Sequence, residues 1–397
     1  ILAKRTRRMT QNLDTMTMPE FLEARYQSEH IKMISAVIIF IFLLPYSASI
    51  FKGLGHLFES TFHISFDFAL IILVVITGIY LVLGGYFAVT VTSFIQGIIM
   101  LVGAVIMICV LVYKAGGLTE AITTVNINYP EHVPVAQQPN WLTIASLIFM
   151  TSVGSWGLPQ MVQKFYAIKN EKVIPKAAII TTIFALVIGI TAYGSGILSH
   201  VFFDNNTVPK LPNGGVNYDQ IMPNLLAIKL PEALLAIIML LILSASMSSL
   251  ASLVLVSASS ITVDLYKGYL KKDVDEKTSL IIMRSLSVLF IFATYLISKL
   301  QLGFIVTMQS LSWGVLSGAF LAPYVFAIYS KKVTKAAAYA GIYSGAGSAI
   351  ILTMALGAAN SALAASIAII VPFIVVPIVS AFTPKVDANV IEKAFKK

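Results

Sequence analysis

The stretch "SASMSSLASLVLVSASSITVDLY", Ser244 to Tyr266, is long enough to cross a bilayer and carries no charge before Asp264. A transmembrane helix needs about 20 mostly apolar residues. Yet eight of the first 17 residues here are serine. At 100° per residue, Ser248, Ser249, Ser252 and Ser259 fall within about 60° of Ala245, with Ser260 close by. Leu250, Leu253 and Val254 sit elsewhere, so one face is small and polar. Two readings stand side by side. Small residues let membrane helices approach, their hydroxyls bonding neighbours or their own helix. Alternatively, neutral hydroxyls and a carbonyl suit an alkali cation, which takes several oxygens. Ser248 and Ser249, one turn after Ala245, offer two hydroxyls and a carbonyl. One helix supplies half a coordination shell, so a second must face it.

The rest of the chain has the same apolar character. Of its 397 residues, 58% are hydrophobic and 11% charged, with a mean hydropathy of +0.88. Soluble domains run near 25% charged. The chain is therefore an all-α, polytopic membrane protein. Its single cysteine, Cys109, lies in an apolar run and excludes an intrachain disulfide. Ten segments are long and apolar enough to span: residues 34–55, 66–84, 91–113, 141–163, 177–201, 232–264, 281–303, 304–329, 336–358 and 361–382. They are counted here as the first to the tenth span, with a short turn after the second.

Lysine and arginine divide 22 to 5 between the two sides of this topology. The positive-inside rule then places both termini in the cytoplasm. Topology also accounts for the +9 net charge, and nucleic acid is excluded as a partner. Residues 1–33 read as a cytoplasmic connector that further sequence should precede. Residues 34–382 read as the transmembrane domain, and 383–397 as a cytoplasmic basic tail. The outer segment 202–231 contains a short surface helix with Ile221, Leu225 and Ile228 on one face, read as an ordered cap without chemistry of its own.

Enzymatic signatures are absent. All 18 acids lie in loops or at span ends, which argues against a carboxylate proton relay. His30, His56, His63, His132 and His200 show no metal-binding spacing. The fourth span has a different feature, "TSVGSWGLPQMVQKFY", where Gly154, Gly157 and Pro159 interrupt an apolar run. Pro159 has no N–H, so the Ser155 carbonyl is expected to lose its partner. Such a break is tolerated in lipid where it is buried or lines a cavity, and transporters place substrate at such breaks. Trp156 and Gln160 beside it are candidates for stacking and hydrogen bonding.

Taken in order, "MTMPEFLEARY", "GGYFAVTVTSFIQG", "GLPQMVQKFYAIK", "SASMSSLASLVLVSASSITVDLYK" and "SLSWGVLSGAFLAP" resemble landmarks of the sodium/solute symporter family, which includes proline, pantothenate, sialic acid and sodium/glucose transporters. The resemblance covers essentially the whole chain. It implies a LeuT-type inverted-repeat fold, with the first to eighth spans as core helices 3 to 10 and two C-terminal helices added. On that map core helices 1 and 2 are missing, and the chain is expected to be an N-terminally truncated member.

The resemblance implies one coupled sodium ion on the Ala245 carbonyl and the Ser248 and Ser249 hydroxyls. Carbonyls of the first core helix would complete the shell. Relatives with a second sodium site use an Asp where this chain has Ser93, and a hydroxyl where it has Ala251. Ser252 remains, so Ser93 and Ser252 read as a remnant of that site. The implied solute cavity is lined by Gly154, Ser155, Trp156, Gly157, Pro159 and Gln160, joined by Tyr46, Ser47, Gln309, Ser312 and Trp313. The implied activity is sodium-coupled symport of a small organic solute by alternating access. The expected setting is a bacterial plasma membrane, with no obligate protein partner and no enzymatic activity. A transporter-like sensory module and a non-transporting fragment are the rival readings.

Overall fold

The computed structural model describes the backbone of residues 2–132, 140–270 and 274–396, and side chains within these except at 82–90, 128–132 and 269–270. In chain order the helices are α1 (Leu2–Leu13), α2 (Met18–Tyr26), α3 (Glu29–Phe62), α4 (Phe66–Lys114), α5 (Leu118–His132), α6 (Trp141–Ser152), α7 (Pro159–Tyr166) and α8 (Ile174–Phe202). They continue as α9 (Tyr218–Lys229), α10 (Glu232–Ser259), α11 (Glu276–Lys299), α12 (Ile305–Tyr329), α13 (Lys335–Leu356), α14 (Ser361–Phe382) and α15 (Ala388–Ala394). No strand occurs among the described residues, only an isolated bridge between Lys210 and Val216.

Every expected span has a helical counterpart. Eight described helices are long and apolar enough to cross a membrane, α6 and α7 form a bent ninth, and Phe66–Leu81 is a shorter apolar helix. The expected turn after the second span falls inside α4. Tyr80 and Thr92 hydroxyls nonetheless meet at 2.5 Å. The turn itself falls at 85–90, outside the residues whose side chains are described.

The chain divides into two compact units. The first comprises residues 1–49, 140–174 and 252–397. Its centre is α12, buried along nearly all of Ser310–Tyr324. Small residues bring α12, α13 and α14 into close contact, as membrane helices favour. A Cβ at Gly345 would stand 2.0 Å from the Gly318 carbonyl oxygen, and one at Gly314 would stand 2.9 Å from the Ala365 Cβ. The Ser366 hydroxyl donates to the Ser146 carbonyl at 2.8 Å, joining α14 to α6.

In the same unit, residues 2–28 form two ordered helices. Thr17 caps α2 in a reciprocal box with Glu20. Arg25, fully buried, donates to the carbonyls of Ala327 (3.2 Å) and Ser330 (2.8 Å) at the end of α12. A cation there also complements the helix dipole. Burial lowers the Arg25 pKa from the ordinary arginine value, with Tyr26 opposing. Burial likewise pushes the Tyr26 hydroxyl up, with Arg25 opposing, and that hydroxyl donates to the Pro323 carbonyl at 2.7 Å.

The second unit comprises residues 50–139 and 175–251. Its core gathers Leu57, Met107, Leu111, Leu198, Leu225, Leu226 and Ile238. Ile179, Ile180, Ile183, Leu186 and Ile190 of α8 are all exposed, as lipid-facing positions must be. The surface helix is present as α9, but its inward face differs from the expected one. Leu225 and Leu226 are buried, Ile221 is partly buried and Ile228 is 66% exposed. The helix therefore sits on the side centred on Leu225 and Leu226, about a quarter of a turn from the expected stripe. Nor is the cap chemically bland. Asp219 pairs with Lys52 at 2.7 Å, both side chains nearly buried, and Gln220 donates to Glu59 at 3.2 Å.

Candidate ion and solute sites

The serine helix, α10, keeps Ala245, Ser248 and Ser249 half-buried. The Ser248 hydroxyl donates to Ser93 at 3.1 Å. The preceding residue, Met247, accepts at its sulfur from Thr77 of the second span at 3.4 Å. A Cβ at Gly103 would stand 2.6 Å from a Leu241 methyl carbon. The third span thus runs antiparallel along α10, with Ser93 opposite Ser248. This bond fixes the Ser248 hydroxyl toward the facing helix. The remaining serines behave differently. Ser259 donates to the Val256 carbonyl at 3.0 Å and Ser260 to Ser257 at 2.8 Å, bonds inside their own helix. Ser260 also reaches the Ala36 carbonyl of α3 at 3.4 Å, the packing role expected of it. Ser252 is half-buried one turn beyond Ser248, and Ala251 is fully buried.

The break in the fourth span is real. α6 ends at Ser152, a 3-10 turn covers Gly154–Gly157, and α7 starts at Pro159, bent by 42° from the preceding half. Proline suits a first helical turn, where its missing N–H has no partner to lose. The Ser155 carbonyl is not orphaned as expected: the tighter turn lets it accept from the Leu158 N–H at 3.5 Å. The Gly154 carbonyl takes the Ser317 hydroxyl at 2.5 Å. Gly157 has no room for a side chain, since a Cβ would stand 2.7 Å from the Leu321 Cβ and 3.0 Å from the Ser317 Cα. Ser317 was not singled out from the sequence. The signal was present in the small-residue spacing Ser310, Gly314, Ser317, Gly318 along α12.

Around this break the first unit gathers much of the expected cavity. Tyr46 meets Trp313 edge to face, ring centres 5.7 Å apart. Trp313 also borders Gly154, its ring 3.9 Å from where a Cβ would stand. Gln160 is 3% exposed, and neither end of its side-chain amide has a hydrogen-bond partner. The Ser47 hydroxyl, the Ser310 hydroxyl and the Trp313 indole N–H are likewise buried and unpartnered. Buried polar atoms without partners call for a water, an ion or a ligand. Three expected residues stand apart. Trp156 is 47% exposed, on a different face from Gln160. Ser312 donates its hydroxyl to the Phe42 carbonyl, and Gln309 stands half-buried a turn before Trp313. The uncommitted groups are neutral donors and acceptors beside aromatic rings, a lining suited to a small solute carrying both kinds of hydrogen-bonding group.

Residues 1–345 match the model of the sodium:solute symporter family. The Staphylococcus aureus sodium/proline symporter is 30% identical over 344 residues, covering 84% of this chain and 65% of its own length. The same protein from strain JH9 aligns with the same identity and coverage. The chain thus spans about two thirds of these curated relatives. Among solved structures, the substrate-bound outward-open state of a Na+-coupled sialic acid symporter superposes with a TM-score of 0.76 at 18% identity, over 95% of this chain and 79% of that one. That likeness establishes the LeuT-type fold.

Proposed function

The chain belongs to the sodium:solute symporter family, and from that premise we propose that it forms the greater part of a secondary transporter that moves a small organic solute with sodium. The observation that carries this reading is the broken helix, with buried and unpartnered Gln160 beside it. Discontinuous helices at the bilayer midplane are where such transporters hold substrate. Ala245, Ser248 and Ser249 are assigned to one sodium ion. The bond from Ser248 to Ser93 supports this, because it holds a hydroxyl oxygen of the serine helix between two facing helices. Ser93 and Ser252 lack a carboxylate, so no second ion is assigned.

Sodium supplies the driving force. Each cation moved inward across 100 mV yields about 2.3 kcal/mol, before any concentration term. That supports roughly a 40-fold solute gradient. The solute is neutral or zwitterionic on this reading, since the unpartnered groups named around the break, on Gln160, Ser47, Ser310 and Trp313, are all neutral. Proline, carried by the relatives from Staphylococcus aureus, is the first to test. Both termini face the cytoplasm of a bacterial plasma membrane.

The test is uptake into vesicles by the complete protein. Ser248→Ala plus Ser249→Ala is expected to abolish sodium stimulation while the protein still inserts and folds. Unchanged sodium dependence would reject the ion site. A screen of amino acids, carboxylates, sugars and vitamins identifies the solute.

A further inference from the structure

Residues 2–28 touch the ends of several helices in the first unit, and they hold them unequally. The grip on α12 is multiple: two hydrogen bonds from Arg25 and one from Tyr26. On α7 and on the end of the serine helix one side-chain hydrogen bond each is described, and Arg8 and Lys4 add exposed ion pairs to Glu171, five residues beyond α7. Arg7 donates to the carbonyl of Tyr166, the last residue of α7, at 2.6 Å. Thr17 donates to Asp264 Oδ1 at 2.5 Å. Asp264 lies in the π-helical stretch Ser260–Leu270 that continues the serine helix. Stretches of this kind inside helices often mark functional sites.

The interior beneath these two bonds is left polar and unsatisfied. Asp264 is 0% exposed and its Oδ2 has no partner. The Tyr166 hydroxyl is buried and unpartnered too. Water entering on opening would satisfy both groups, which lowers the cost of separation. Residues 2–28 are therefore bound to α12 by several buried hydrogen bonds, and to α7 and the serine helix by fewer.

We propose that residues 2–28 are a clasp, anchored on α12, in which Arg7 and Thr17 are positioning residues that latch α7 and the end of the serine helix together. The proposal rests on the transport reading, in which the inner half of the broken helix must move for solute to leave. A segment that holds α7 and the serine helix through one short piece of chain makes their release a joint event.

The test uses the complete protein in membrane vesicles. Val162 on α7 is 0% exposed and becomes the reporter as Val162→Cys, in a background with Cys109→Ser and no other cysteine. A membrane-impermeant maleimide is applied from the side carrying residues 2–28. Arg7→Gln and Thr17→Val are each expected to speed labelling on the order of tenfold, the effect of losing one hydrogen bond to a charged group. Thr17→Val also removes the α2 cap, so Asp264→Asn is the discriminating variant, because it leaves the cap intact. Thr17→Ser keeps both bonds and should label at the parental rate. Accelerated labelling in Asp264→Asn and Arg7→Gln supports the clasp. Acceleration confined to Thr17→Val, or none in any variant, overturns it. Uptake measured in parallel separates the two readings. Sodium-independent uptake with faster labelling rejects the coupling and keeps the clasp. Sodium-dependent uptake with unchanged labelling rejects the clasp alone.

Discussion

Gly157→Ala tests whether the break is held by direct contact of its backbone with α12. The added Cβ would stand 2.7 Å from the Leu321 Cβ, 3.0 Å from the Ser317 Cα and 3.1 Å from the Leu321 Cα. None of these is the tip of a flexible side chain. Ordinary carbon contacts lie near 3.5–4.0 Å, so the two elements must separate by roughly 1 Å. Overpacking of this kind costs about 1–3 kcal/mol. A shift of that size would also break the Ser317 hydrogen bond to the Gly154 carbonyl, now 2.5 Å long. At ~2.1 cal/mol/K per residue, the corresponding fall in Tm is roughly 1–4 °C for a chain of this size. Gly154→Ala is the internal comparison. Its closest neighbour is the Ile369 Cδ1 at 3.1 Å, a side-chain end that can rotate away. Gly97→Ala is the second comparison, with nothing within 4 Å, where replacing a helical glycine should be neutral or mildly stabilising. The assay is thermal unfolding in detergent with solute affinity measured alongside. The expected order of damage is Gly157 first, Gly154 well behind and Gly97 absent. Equal effects at Gly157 and Gly154 would show that the glycines serve backbone flexibility, and would refute the contact argument.

Three other outcomes follow from the same structure. Lys52→Met or Asp219→Asn leaves one member of a nearly buried ion pair alone and should cost about 3–5 kcal/mol, while Lys52→Met with Asp219→Leu recovers much of it; a double-mutant cycle on Tm checks this. Ser93→Ala removes the acceptor that orients Ser248 and is expected to weaken apparent sodium affinity several-fold, whereas Ser260→Ala, whose hydroxyl bonds its own helix, should leave it unchanged; sodium titration of uptake decides between them. Asp275 caps α11 through hydrogen bonds from Thr278 that hold its carboxyl below the ordinary carboxylate value, so the cap is intact above that value and lost as pH falls through the lowered one; hydrogen exchange in the first turn should rise only in that acid range, and Asp275→Asn should abolish the pH dependence.

The spans were legible because bilayer thickness imposes a length on apolar runs, and ten such runs stand out against few charges. The break at Gly154–Pro159 was legible because proline and glycine act locally. The partners of the break were not. Ser317 reaches Gly154 across 163 positions, Thr17 reaches Asp264 across 247 and Arg25 reaches Ala327 across 302. Periodicity carries no information about such distant pairings. The face of α9 was misjudged for a related reason: its inward side is fixed by the cavity it fills among Leu57, Leu198 and Ile238, not by its own spacing.

The serines show where composition stops being informative. Ser248, Ser260 and Ser317 are the same residue on membrane helices, all with hydroxyls that donate. What separates them is the acceptor. Ser260 donates within its own helix, an arrangement that draws the oxygen back into its own groove. Ser317 donates to the Gly154 carbonyl and so supplies a partner to irregular backbone at the break. Ser248 donates to another hydroxyl on a facing helix, which holds its oxygen between two helices. Of the three, that last arrangement is the one to which we assign a cation. A serine-rich face is therefore a set of candidates, and the direction in which each proton is given away selects among them.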